Sequence, residues 1–191
     1  MSEPCAIILI NGKRKCGKDY LALELVENLG PAVCETLHLS TEIKREYAQL
    51  NNLDFSLLLT DSPYKDVYRK EMIALGEARR GADPGHYCRL ATEHGSKQCW
   101  VVVDNRRETD IEYFKQQYPG KCIVVRVTAS EEIRRKRGWS WKSGVDDAES
   151  ECGLDKHVPD IPVCNNGDIL SDGFLESVEL VVRWVKERLT I

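Results

Sequence analysis

Between an apolar run, Ala6-Ile7-Ile8-Leu9-Ile10, and an amphipathic stretch stands Asn11-Gly12-Lys13-Arg14-Lys15-Cys16-Gly17-Lys18-Asp19. Gly12, Gly17 and Lys18 satisfy G-x-x-x-x-G-K, a pattern whose chemistry is the cradling of a nucleotide's phosphates. Glycine at 12 and 17 admits backbone conformations that turn amide groups inward around phosphate oxygens. A helix opening near Lys18 adds its free N–H groups and positive dipole end. The Lys18 ammonium then reaches the β- and γ-phosphates as a point charge. Basic residues at 13, 14, 15 and 18 have no acid among them until Asp19. The alternative, a glycine turn with solvated lysines, leaves that charge uncompensated. Asp19 stands where the pattern usually has a hydroxyl residue for Mg²⁺. Either its carboxylate approaches the metal directly or through water, or it is an acid stabilised by the helix dipole.

A second carboxylate ends the run Trp100-Val101-Val102-Val103-Asp104. It either orients Mg²⁺ or its water, or caps a helix expected to begin near Thr109. Arg106 and Arg107 follow. At the carboxyl ends of parallel strands both would face the same mouth as the phosphate loop, either gripping an acceptor's phosphate bidentately or lying solvated. Lys44, Arg45, Lys65, Arg69, Lys70, Arg79, Arg80, Arg89 and the run from Arg134 to Arg137 add further cations on helical stretches. Lys65 and Arg69, four apart, share one face. With the phosphate loop they imply two anionic ligands, ATP and a phosphate-bearing acceptor. The N-K-x-D pattern of GTPases is absent, Asn165-Asn166-Gly167-Asp168 being only a loose echo. The four histidines (38, 86, 94 and 157) form no dyad or metal set.

The elements that must position these residues are legible. Short apolar runs alternate with amphipathic stretches, the pattern of an α/β protein with a parallel sheet flanked by helices. Expected strands are Ala6–Ile10, Glu35–Leu39, Cys99–Asp104, Cys122–Val127 and Ile161–Cys164. The continuous β-branched runs at 101–103 and 123–125 place those two strands centrally. Asp61-Ser62-Pro63 and Asp83-Pro84 each set a capping side chain before a proline at a first helical position. Ser130 before Glu131 and Glu132 is a third start, and Gly30-Pro31 closes the first helix. Phe174, Val178, Val181, Val182 and Val185 give the last helix, roughly Gly173 to Leu189, its core stripe. The stretch from Gly138 to Pro162, with four acids between Asp146 and Glu151, reads as an exposed loop or lid.

With 191 residues, 42% hydrophobic and 30% charged, the chain is expected to be one globular domain, 1–191. A net charge of −4 argues against nucleic-acid binding. The apolar runs are too short for a bilayer span of about 20 residues, and the first residues lack a basic region. These observations, with a terminal Leu189-Thr190-Ile191 that matches no retention signal, make the cytosol the expected location. The eight cysteines, without metal-site spacing, are expected to be reduced; Cys5, Cys99, Cys122 and Cys164 sit in or beside apolar runs.

These residues resemble a specific family, the animal-type phosphomevalonate kinases. The resemblance runs from Ile10 to about Gly167. It rests on Gly12 to Asp19, Tyr64-Lys65 with Arg69-Lys70-x-Met72-Ile73, Ala82-Asp83-Pro84-Gly85, Asp104-x-Arg106-Arg107, Arg137-Gly138-Trp139, and the long unusual run Gly144 to Asp155. It implies a three-layer P-loop kinase fold of the nucleoside-monophosphate-kinase kind, with a five-stranded parallel sheet and a mobile lid at about 138–155. It implies transfer of the ATP γ-phosphoryl group to phosphomevalonate, giving diphosphomevalonate and ADP on the mevalonate route to isoprenoids and sterols, by a monomer. By similarity Gly12, Lys13, Arg14, Lys15, Cys16, Gly17, Lys18 and Asp19 hold the ATP phosphates, Arg137 reaches ATP from the lid, and Asn166 lies near the nucleotide. Arg106, Arg107 and Asn165 lie toward the acceptor, with Lys65, Arg69 and Arg80 beside them. Lys18, Arg106 and Arg107 would be catalytic, and Asp19 and Asp104 the Mg²⁺ carboxylates. From Asp168 to Phe174 the chain departs from the family pattern, with no arginine to hold adenine. Two other readings compete: a different small-molecule or nucleoside monophosphate kinase, and a nucleotide-binding module without turnover.

Overall fold

A computed structural model describes residues 3–60, 62–167 and 172–189; Asp61 of the first helix-start signal, and Asp168 to Ser171 of the departing segment, lie outside them. The chain opens with strand β1 (Ala6–Asn11), helix α1 (Lys18–Leu29), strand β2 (Cys34–Leu37) and helices α2 (Leu39–Asn51), α3 (Phe55–Leu59), α4 (Pro63–Ala82) and α5 (His86–Thr92). It continues through β3 (Cys99–Val102), α6 (Glu108–Gln117), β4 (Cys122–Thr128), α7 (Glu131–Lys136), α8 (Glu149–Cys152), β5 (Ile161–Cys164) and α9 (Asp172–Leu189). The five strands form one parallel sheet in the order β2-β3-β1-β4-β5.

Alternation within the strands builds two cores. Ile8 and Ile10 of β1 face one way, with Val101 and Val125, onto Leu21 and Leu25 of α1 and Val178, Val181 and Val185 of α9. Ile7 and Leu9 face the other way, onto Cys88 and Ala91 of α5 and Ile111 and Phe114 of α6. A strand buried on both faces must be apolar throughout, which is why β1 carries no alternation. β3 and β4 flank it as expected, and β1 itself is the centre. A third cluster joins Tyr47 and Ala48 of α2, Leu58 of α3 and Met72 of α4.

Several expected boundaries shift. β2 ends at Leu37, because His38 takes the N-cap of α2 and Leu39 enters that helix. β3 ends at Val102, leaving Asp104 in the turn beyond it. β4 continues one residue past Val127, to Thr128. Ser62 stands at the N-cap of α4 with Pro63 first, but its hydroxyl accepts from Thr60 (2.8 Å) and caps no amide. Asp83 is not a helix start: its amide still donates to Arg79, closing α4, and its carboxylate turns the chain by accepting from Gly85. α5 therefore begins at His86. Ser130 caps α7 by accepting from the Ile133 amide, and Gly30 ends α1, both as expected. All eight cysteines are free thiols; Cys164 is exposed on the edge strand and does not pack as a small hydrophobe.

The polar stretch after α7 is not a simple exposed loop. Trp139, Val145, Asp146 and Leu154 are buried, and Glu149–Cys152 form α8. Arg134 lies 4.1 Å over the Trp139 ring. The Asp146 carboxylate, 3% exposed, accepts from Trp139 Nε1 (2.9 Å), the Lys142 amide (2.8 Å), and Arg14 Nε and Nη2 (3.1 and 3.0 Å). Burial opposes its ionisation, but these donors outweigh burial and hold its pKa below the usual carboxylate range. A depressed carboxylate contributes stability in full above its unfolded value of about 3.9, and loses it as pH falls through the folded value. Asp146→Asn at pH 7 is therefore expected to speed hydrogen exchange across 139–152 by roughly 5- to 150-fold, equivalent to about 1–3 kcal/mol. The gap between variant and parent should begin to narrow below about pH 4 and close once the pH is under the depressed folded pKa of Asp146. A gap that stays constant as the pH is lowered through that range, down to acid unfolding, would show that the charge is not what holds the segment.

Candidate active site

The phosphate loop is built by three positive-φ residues between β1 and α1. Gly12 has φ 144°, Lys15 φ 62° and Gly17 φ 101°. A Cβ on Gly12 would lie 2.3 Å from the Val127 carbonyl oxygen of β4, and one on Gly17 would lie 2.2 Å from Asn165 Nδ2. The glycines are thus required twice over, by conformation and by space. The loop's carbonyls are tied down. Arg134 Nε donates to Arg14 O (2.8 Å), while Arg137 Nη1 (3.1 Å) and Asn165 Nδ2 (3.0 Å) donate to Cys16 O. Lys18 Nζ donates to the carbonyls of Gly12 (2.7 Å) and Lys13 (3.1 Å). Burial lowers the Lys18 pKa and Arg106 adds to the effect, while Cys16, Glu151 and Asp19 oppose it. A buried ammonium at the start of a helix, in a loop that only glycine can form, fits a polyphosphate.

Two cavities open beside this loop. The larger, about 740 Å³, has Arg14, Lys15, Lys18 and Asp19 on its wall, together with Lys142 from the segment after α7. The smaller, about 150 Å³, has Arg80 and the apolar side chains of Ile43, Met72, Ile73 and Val145. Lys44, Lys65, Arg69, Asp104 and Arg106 line both. Lys65 and Arg69 therefore do share a working face of α4.

Lys44, in sequence one helical cation among many, lines both cavities from α2. Its Nζ donates to Ser40 Oγ (3.2 Å) one turn earlier. Burial lowers its pKa; Asp104 raises it, and Arg106 and Arg69 lower it further. The signal available in the sequence was the i, i+4 pair Ser40–Lys44 on a helix that starts at a strand's carboxyl end.

Asp104 does not cap the helix near Thr109. Its Oδ1 accepts from the Leu39 amide (2.7 Å) and Oδ2 from the Ser40 amide (2.9 Å), so it caps α2. Burial disfavours its charge, yet His38, Ser40 and Arg106 outweigh burial and keep its pKa low. α6 is capped by Asp110, whose Oδ2 accepts from the amides of Arg106 (3.0 Å) and Arg107 (3.1 Å). Asp19 and Asp104 line the same cavity. Among the described residues no group of three His, Cys, Asp or Glu gathers to hold a metal. Two carboxylates plus phosphate oxygens and water match the way Mg²⁺ is usually held.

Arg106 and Arg107 are not placed side by side at the cavities. Arg107 has extended backbone (φ −129°, ψ 150°), so successive side chains project oppositely. Arg106 enters the cavities; Arg107, its side chain 8% exposed, pairs with Glu77 of α4 and lines neither. Asn165 lies with Arg137 (Nη2 to Oδ1, 2.9 Å) against the phosphate loop, not in the smaller cavity. Exposed Asn166 accepts from the Ser130 amide (2.6 Å), at the start of α7. Lys13 pairs with Asp155 (2.8 Å), and the Arg14 guanidinium is engaged by Asp146. Arg80 reaches the smaller cavity from Asp110 (3.4 Å), whereas Arg79 and Arg89 pair with Glu46 and Asp83.

The family model described as phosphomevalonate kinase matches residues 10–120. A phosphomevalonate kinase of Drosophila melanogaster is 44% identical over 154 residues, covering 78% of this chain and 81% of that protein. Among solved structures, shikimate kinase from Acinetobacter baumannii in complex with shikimate superposes with a TM-score of 0.53 at 15% identity, covering 96% of this chain and 94% of that one. Shikimate kinase from Bacteroides thetaiotaomicron gives 0.51 at 11% identity, covering 97% and 99%. At these identities the solved structures speak for the fold alone.

Gly12 offers a direct check on the loop. Gly12→Ala must either displace the β4 carbonyl or abandon φ 144°, a strain of about 1–3 kcal/mol. ATP affinity measured by calorimetry should fall roughly 5- to 150-fold. Unchanged affinity would mean that this loop conformation is not the binding one.

Proposed function

The chain belongs to the phosphomevalonate kinase family, and from that premise we propose how its residues carry out the reaction. The enzyme phosphorylates phosphomevalonate at the expense of ATP, forming diphosphomevalonate and ADP. In our reading the nucleotide's phosphates lie on the loop from Gly12 to Asp19, and the acceptor phosphate sits in the smaller cavity. The observation that carries this reading is the wall shared by the two cavities, where Lys44, Lys65, Arg69 and Arg106 meet. Cations there face both the transferring and the receiving phosphate. Ile43, Met72, Ile73 and Val145 supply an apolar side for the acceptor's carbon skeleton.

The acceptor is itself a phosphate oxyanion, so no strong general base is needed. An acceptor oxygen attacks the γ-phosphorus, the bond to the ADP oxygen breaks, and charge spreads over the transferring oxygens. This chain's residues align the two anions and neutralise that charge. Lys18 gives up its bonds to the Gly12 and Lys13 carbonyls to reach the phosphates. Arg106 spans toward the acceptor; Arg107 and Asn165 serve by holding their neighbours. Mg²⁺, when bound, supplies further charge neutralisation, with Asp19 and Asp104 holding it or its waters. Residues 138–155 act as the lid, pinned through Asp146 to Arg14, and exclude water. No helix among the described residues is long and apolar enough to cross a membrane, and we read the enzyme as a cytosolic monomer.

A coupled ADP-release assay across phosphomevalonate, mevalonate and nucleoside monophosphates tests the assignment. Turnover should be confined to phosphomevalonate, because the smaller cavity sets cations for a phosphate beside the short apolar side made by Ile43, Met72, Ile73 and Val145, which suits a branched carbon chain rather than a sugar and base. Lys18→Met should lower kcat by about 10²–10³, the scale for losing one preorganised donor. Turnover of a nucleoside monophosphate, or a near-normal kcat in the variant, would contradict the reading.

A further inference from the structure

Glu151 closes the run of acids in the stretch expected to be an exposed loop or lid, yet its side chain is only 4% exposed. Its Oε2 accepts from the backbone amide of Arg14 in the phosphate loop (2.9 Å). Its Oε1 accepts from Arg106 Nη1. One carboxylate therefore touches both the loop assigned to ATP and the arginine assigned to the acceptor, and it lines the smaller cavity between them.

The second hydrogen of Arg106 Nη1 goes to the Ser150 carbonyl (3.0 Å). With both Nη1 hydrogens committed to α8, the plane of the guanidinium is set. Its Nε and Nη2 bond to no described residue and remain for a ligand. The backbone route to this arrangement is also constrained. A Cβ on Gly153 would lie 2.9 Å from the Arg106 carbonyl and 2.8 Å from that of Glu149, so only glycine lets α8 close against Arg106.

We propose that Glu151 is a positioning residue for phosphoryl transfer: its carboxylate fixes Arg106 relative to the phosphate loop, so that the free edge of the guanidinium meets the acceptor phosphate. The charge matters as well as the shape. Arg106 stands among Lys18, Lys44 and Arg69, offset by Asp104 and more strongly by Glu151; without Glu151 the repulsion would drive it outward in the ligand-free enzyme. Glu151 holds it in place until the acceptor arrives.

This inference rests on Arg106 serving the acceptor, and the experiment separates the two claims. Glu151→Gln keeps the shape but gives one oxygen and one NH₂ where two acceptors are needed, so one donor is left facing another. The acceptor KM should rise roughly tenfold or more, with the ATP KM within about threefold of the parent. In an Arg106→Ala background the same substitution should change the acceptor KM less than about twofold. Glu151→Asp, which keeps the charge one methylene short, should fall between parent and Gln variant, and covers the case in which the Gln variant fails to fold. Parental acceptor kinetics in both Glu151 variants, or losses that simply multiply with those of Arg106→Ala, would overturn the proposal. Parental acceptor kinetics in Arg106→Ala itself would instead remove the acceptor reading of Arg106, and this inference with it.

Discussion

The repulsion among cations gathered at the carboxyl ends of β1 and β3 is the constraint to which the rest of the molecule answers. Lys18, Lys44, Arg69 and Arg106 line one continuous space, in a protein whose net charge is −4. Like charges in a partly desolvated pocket stay there only if fixed partners offset them. The chain supplies such partners one at a time. Carbonyls of the loop take Lys18, Ser40 takes Lys44, Asp66 takes Arg69, and Glu151 takes Arg106. The result is a cavity with more cations than carboxylates on its wall, where Asp66, Asp104 and, in the smaller cavity, Glu151 stand among the cations they offset. Such a site is organised before its substrates arrive, and preorganised charge is what phosphoryl transfer requires.

Backbone geometry delivers that charge. A parallel sheet places the ends of β1, β3 and β4 at one mouth. β1 runs into the phosphate loop, β3 into Asp104 and Arg106, and β4 into α7 with Arg134 and Arg137. Asp104 links two of these by capping α2 from the end of β3, which fixes Ser40 and Lys44 over the same mouth.

Local patterns in the chain carried much of this. The loop from Gly12 to Asp19, the five strands, the central place of 101–103 and 123–125, and the shared face of Lys65 and Arg69 all follow from spacing and residue type. What could not be read locally depends on which side chain meets which across the fold. Arg106 and Arg107 look alike in sequence, and only the extended backbone between them sends one inward and the other to Glu77. The acids between 146 and 151 look solvated because composition does not record that Arg14 and Arg106 approach from more than forty residues away. Lys44 was hidden for the same reason.

Phosphoryl transfer in this enzyme requires two anions to occupy the joined cavities at once. Calorimetric titration of phosphomevalonate into enzyme saturated with magnesium and an unhydrolysable ATP analogue measures that directly. One equivalent of phosphomevalonate should bind to the nucleotide-loaded enzyme with an affinity similar to or better than that for the free enzyme. Mutual exclusion of the two ligands, each binding only when the other is absent, would contradict it.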